Sequence, residues 1–207
     1  MAVNLQMYCV FGVRLMADLF SRIITAMSSI EFVMRTYPML TEWGVRDEDL
    51  LVHSLGCSVW NTLGQDLGFM AISECPAPVT HGADIRTDST WFCRQQRTPA
   101  VLIEFERFDG AARSQQKLDE KICNLLEASM RWGNSPSALV LSVWNKGVVS
   151  APDTESLLRR CRDGFTSSVG AQVAPRNNIA ILFNRFIFEI EHNKCLSLKQ
   201  TRCVRLM

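Results

Sequence analysis

Residues 101–108, VLIEFERF, read as a β-strand, and that reading decides the fold. Val101, Ile103 and Phe105 alternate to one face, while Leu102, Glu104, Glu106 and Phe108 point to the other. Glu104 and Glu106 therefore share a face, with α-carbons roughly 6.6 Å apart. Asp109-Gly110 breaks the run. The stretch 101–105 is too apolar to stand as a freely exposed hairpin arm, so it needs cover from other elements.

Downstream, the spacing of Leu118, Ile122, Leu125 and Ser129 predicts a helix over 112–132. Residues 137–144 form a nearly continuous apolar run, the pattern of a strand buried on both faces. A short helix over 153–163 and a strand over 178–191 follow, and the basic tail from Lys194 shows no strong periodicity. Upstream, residues 84–93 read as a strand with Ile85, Trp91 and Cys93 on one face and Asp84, Arg86 and Asp88 on the other. The polar connector 94–99 joins it to the first strand discussed. Leu51, Leu55, Val59 and Leu63 mark a helix over about 47–66, with acids at its start that suit the helix dipole. A strand over 67–74 leads into the Pro76-Ala-Pro78 turn. Met16, Phe20, Ile23, Met27 and Ile30 mark a helix over 12–36, ended by Tyr37-Pro38. Its pattern suits core packing, and a membrane-surface helix is the alternative.

These elements predict an α/β (α+β) fold, a central mixed sheet flanked by helices. With 207 residues, the chain suits a single domain. Its parts are a helical region (1–45), a core (46–145), and a C-terminal helix, strand and basic tail (146–207). An apolar fraction of 47% and a charged fraction of 21% exclude a largely disordered chain.

The net charge of +1 hides an asymmetry. Residues 31–84 hold eight acids and two bases, whereas residues 156–207 hold nine bases and three acids. The two halves either neutralise each other or present a basic face to a polyanion. The eight cysteines form no C-x-x-C pair, and His53, His81 and His192 are scattered, so reduced thiols in a reducing compartment are expected. Residues 1–13 lack a preceding basic segment, and Arg14, Asp18 and Arg22 interrupt the apolar run that follows. A soluble, cytoplasmic protein without secretory leader or membrane span is the expectation.

The residues with chemistry to offer are Asp84, Glu104 and Glu106. If residues paired across the hairpin sum to about 190, Asp84 lies opposite Glu106 on the face shared with Glu104. Converging carboxylates repel unless they are solvated, protonated or bridged by a hard cation such as Mg2+ or Mn2+. A solvated hairpin face with alternating polar residues is the other reading of the same pattern. Nucleotide-loop, nucleophile-elbow and zincin motifs do not occur, a cysteine nucleophile has no paired histidine signal, and the five tryptophans suit a core.

The segments ADIRTD (83–88), VLIEFERF (101–108), SQQKLDEKICNLLEAS (114–129) and SALVLSVW (137–144) together resemble the PD-(D/E)xK, or restriction-endonuclease-like, superfamily over roughly residues 46–145. The resemblance implies an αβββαβ core, with Asp84 and Glu104 as metal ligands. Glu106 stands where that family usually has lysine, and Ala83 precedes Asp84 where proline is common. The resemblance then leaves water activation to Glu106 or to a base moved onto the next helix, Lys121 or Lys117. Glu48 resembles an accessory acid of some members, or is simply a helix-start charge. Arg86 and Arg107 would contact phosphates.

The implied function is a Mg2+- or Mn2+-dependent DNA endonuclease, a hydrolase of phosphodiesters, or a DNA-binding protein derived from one. No small-molecule cofactor is implied. Cation binding with weak cleavage is expected, because Glu106 reverses the charge of the usual lysine. A second expectation is a non-catalytic protein of plasmid or phage origin that uses the fold as a scaffold, for example to inhibit a conjugation or defence ATPase.

Overall fold

The strand that opened the reading is β3, Pro99–Arg107, and its first seven residues are all buried. In this computed structural model, residues 18–46, 48–79, 84–167 and 170–207 are described. The elements are α1 (18–27), α2 (Glu31–Thr36), a 3-10 turn (Pro38–Leu40), α3 (Glu48–Asp66), β1 (Met70–Pro76), β2 (Arg86–Phe92), β3, α4 (Ala112–Arg131), β4 (Ala138–Lys146), α5 (Thr154–Asp163), β5 (Phe165–Thr166), β6 (Gln172–Val173), β7 (Ala180–Ile190) and β8 (Leu196–Arg205). Six strands form one sheet in the order β1-β2-β3-β4-β7-β8. The pairs β3–β4 and β4–β7 are parallel and the rest antiparallel, so the fold is α+β with a mixed sheet.

Helices α1 to α3 cover one face of this sheet and α4 and α5 the other, each over its own apolar core. β4 lies between two parallel neighbours and is buried along eight of its nine residues, as its continuous apolar run requires. On α4, Leu118, Ile122 and Leu125 are wholly buried, each contributing about 1.5–3 kcal/mol relative to exposure. On the opposite face α3 lies very close to the sheet at two glycines. A Cβ on Gly56 would meet the Phe105 ring at 2.2 Å, and one on Gly64 would meet Trp91 at 2.7 Å. This close approach holds α3 down over β2 and β3.

The structure differs from the sequence reading in two elements. The predicted helix over 12–36 is interrupted at residues 28–30, and its part before residue 18 lies outside the described residues. The Met27 carbonyl, which would accept from Glu31 in a continuous helix, instead accepts from Thr201 Oγ1 at 3.0 Å, and the Glu31 amide turns to Ser29 Oγ. The tail that lacked periodicity is strand β8. Its buried residues switch from Leu196 and Leu198 to Thr201 and Cys203, a parity change that accompanies a register shift against β7 at Ile187/Phe188.

Ion pairs within the oppositely charged segments stay local, as at Arg35–Asp66 and Glu191–Lys199. All seven described cysteines are free thiols, and Cys9 and His81 lie outside the described residues. No described helix is long and apolar enough to cross a membrane.

Candidate active site

β2 and β3 pair as far as Ser89↔Ile103, in a register where partners sum to 192. Beyond that point β2 continues against β1 to Arg86, and β3 continues against β4 to Arg107, but the two no longer pair with each other. Asp88 fills the opening. Its Oδ2 accepts from the Phe105 amide at 2.6 Å, so a carboxylate takes the place of a backbone ladder bond. The register corrects the expected geometry: Asp84 is not across from Glu106. It precedes β2 at the surface and is ion-paired at 2.7 Å with Arg86, which is half exposed like Asp84. A shift of two keeps side-chain parity, so the acid brought to Glu104 is Asp88.

Glu104 is completely buried. Lys121 reaches down from α4 and donates to its Oε2 at 2.6 Å, while Oε1 has no partner as a carboxylate oxygen and pairs with Asp88 when the group is protonated. Burial, and after it the neighbouring Asp88 charge, push the Glu104 carboxyl up to about 8. Burial alone would lower Lys121, but the Glu104 carboxylate raises it, so the ammonium form persists.

From the other face of the sheet comes His53, on α3. Its Nε2 lies 3.6 Å from Asp88 Oδ1, and its Nδ1 lies 3.8 Å from the thiol of Cys57, one helical turn on. The Asp88 contact, with Cys57 second, raises His53 to about 10. Burial would raise Asp88, but His53 and the Phe105 amide hold it below its ordinary value. Burial pushes the Cys57 thiol up. The site therefore runs through the sheet, with His53 and Cys57 on one side, Lys121 on the other, and two carboxylates at the parting of the strands.

A cleft of about 440 Å³ opens beside this cluster, lined by Leu50, His53, Glu106, Arg107, Lys117 and Trp144; of the cluster only His53 lines it. Glu106 is largely buried, accepts from the Arg107 amide and lies 3.7 Å from Lys117 Nζ. Both helix lysines thus face the strand acids, one turn apart. The Arg107 guanidinium lies over the Trp144 ring at 5.4 Å. Glu48 opens α3, on the same helix as His53.

No family model, curated protein or solved structure matches this chain.

Sequence reasoning missed His53, Cys57 and the role of Asp88. The first two had a signal: His-x-x-x-Cys at i,i+4 on a helix shares one face, although a search for paired cysteines passes over it. Asp88 was placed on the correct face of its strand, and only the register was off by two. Asp88 and Glu104 are two neighbouring buried carboxylates beneath a cleft that His53 and Glu106 line, and carboxylate oxygens are the donors a hard cation takes.

Proposed function

We propose that this chain is a metal-dependent phosphodiesterase of the nuclease type, built on a restriction-endonuclease-like core, with DNA as its substrate. The observation that carries the reading is Glu104: a fully buried carboxylate with one oxygen lacking a partner, set beside Asp88 and held by Lys121. The αβββαβ order with an antiparallel β1-β2-β3 meander and a parallel β4 supports it.

Asp88 and Glu104 would hold Mg2+ or Mn2+, which supplies positive charge to the phosphate oxygens as cleavage proceeds. Lys121 stays protonated beside Glu104. It delivers charge where a strand lysine would otherwise stand, and it does not act as a base. Glu106, on the cleft wall, is the acceptor for a water proton. Lys117 and Arg107 line the same cleft and would contact phosphate, whereas Arg86 is paired with Asp84 at the surface.

The test is incubation of wild type, E104A, D88N and D84A with linear duplex and single-stranded DNA in Mn2+ and in Mg2+. Slow cleavage by wild type and D84A, reduced at least about a hundredfold in E104A and D88N, is the expected result. Cleavage that survives E104A, or no cleavage by wild type under either cation, would overturn the reading.

One observation favours the second reading, a non-catalytic interaction protein: Lys121 and Lys117 already neutralise Glu104 and Glu106 without any cation. A cellular phenotype retained by E104A, with no cleavage by wild type, would select it.

A further inference from the structure

His53, Cys57 and Asp88 each offer one ligand atom, and these three atoms lie within 4.8 Å of one another. Their chemistry differs from that of the Asp88–Glu104 pair. A thiolate and an imidazole are soft or borderline donors, poor for Mg2+ and good for zinc-class ions. We propose that His53, Cys57 and Asp88 form a second cation site, one that takes thiophilic divalent ions such as Zn2+.

Geometry supports the assignment in three ways. His53 and Cys57 sit one turn apart on a single helix, so they face the same point without any rearrangement of the fold. With one nitrogen taken from His53, the three ligand atoms lie within 4.8 Å of one another, so a small side-chain adjustment brings them to the spacing around a tetrahedral zinc, whose bonds run about 2.0–2.3 Å. His53 also lines the cleft with a 38% exposed side chain, which gives the ion a route from solvent.

Three protein donors leave a fourth position for water, the arrangement of an open zinc site. On binding, the Cys57 thiol and the His53 imidazolium each lose a proton to solvent, and the freed sulfur and ring nitrogen form the metal bonds. Gly56 fixes the helix between the two ligands, its α-carbon against the Phe105 ring.

The site shares Asp88 with the proposed hard-cation pair, so the two ions would compete. That consequence rests on the nuclease reading, but binding itself does not. A thiophilic ion on Asp88 would remove it from Mg2+ or Mn2+ and block cleavage.

The test uses the full chain, metal-free, titrated with Co2+ and with Zn2+ against a chromogenic chelator. Expected are one equivalent of Zn2+ with a Kd of about 1 μM or tighter and, for Co2+, a near-ultraviolet thiolate-to-cobalt absorption. C57S, nearly isosteric and expected to fold, should abolish the absorption and weaken Zn2+ at least about a hundredfold, as should H53A. C75S, which changes a buried thiol on β1, should leave both unchanged. Absence of the absorption in wild type, or Zn2+ binding untouched by C57S, would overturn the site. Neither readout involves DNA, so failure of the cleavage assay leaves this result independent.

Discussion

The sheet carries two buried polar clusters, and they differ in kind. At its middle, beneath α1, Ser142, Asn184 and Thr201 form a neutral group. Asn184 donates to Ser142 Oγ at 3.2 Å, and Thr201 shares its hydrogen between Asn184 Oδ1 and the Met27 carbonyl. None of these side-chain atoms lacks a partner. At the parting of β2 and β3, the second cluster is ionic, and Glu104 Oε1 is left without a partner. An orphaned buried polar atom costs about 1–3 kcal/mol, and Trp60 Nε1 and Trp91 Nε1 in the apolar core carry that cost as well. What sets Glu104 apart from those indoles is its charge: it is an ionisable group buried next to a second acid and a lysine, and that is the contrast between the two clusters.

The largest test of that contrast removes one member of the ionic cluster. Replacing Lys121 with Met strands a buried carboxylate and should cost about 3 kcal/mol at pH 9, where Glu104 is ionised. Urea denaturation should show the loss, and the double variant E104Q-K121M should recover most of it. A single variant as stable as wild type would mean that the pair contributes nothing and the cluster is not ionic.

A somewhat smaller effect separates the clusters by pH. Glu104 is harder to ionise folded, at about 8, than at its ordinary 4.5, so its contribution is full below 4.5 and is lost as pH rises toward 8. His53 contributes only the start of its loss below 6.5, Lys121 titrates higher and Asp88 lower, so Glu104 dominates the range from pH 5 to 6.5. In EDTA, wild type should lose about 2 kcal/mol across that range, and E104Q only about 0.5 kcal/mol. Equal slopes for the two proteins would remove the burial argument.

The smallest effect belongs to the neutral cluster. N184A should destabilise by about 1.5 kcal/mol at every pH, with cation binding per folded molecule unchanged. A pH-dependent loss, or a loss of cation binding, would blur the distinction between the two clusters.

The same contrast explains what was legible in the chain. The mixed sheet, its central strand β4 and the apolar stripe of α4 follow from periodicity, since each buries one regular face or both. Glu104 and Lys121 were legible for the same reason, parity on a strand and spacing on a helix. Asp88 was not, because hairpin register depends on the loop and on a bulge at Trp91/Phe92 that no local pattern announces. His53 was not, because it reaches Asp88 from the opposite face of the sheet, through a gap that exists only where two strands part. Strand β8 was hidden by its change of parity, and the break before α2 by a partner 174 residues away.

That last contact also bears on the order in which the molecule can form. Thr201 and Met27 are separated by nearly the whole described chain, and the Val45↔Leu196 bridge spans almost as much. Closing such long loops costs entropy that is repaid only when the distant strand arrives. During synthesis, α1 must therefore wait for β8 before its end is fixed. The side chains of the ionic cluster all lie between residues 53 and 121, so that half of the sheet is expected to acquire its native contacts while the other edge is still being made.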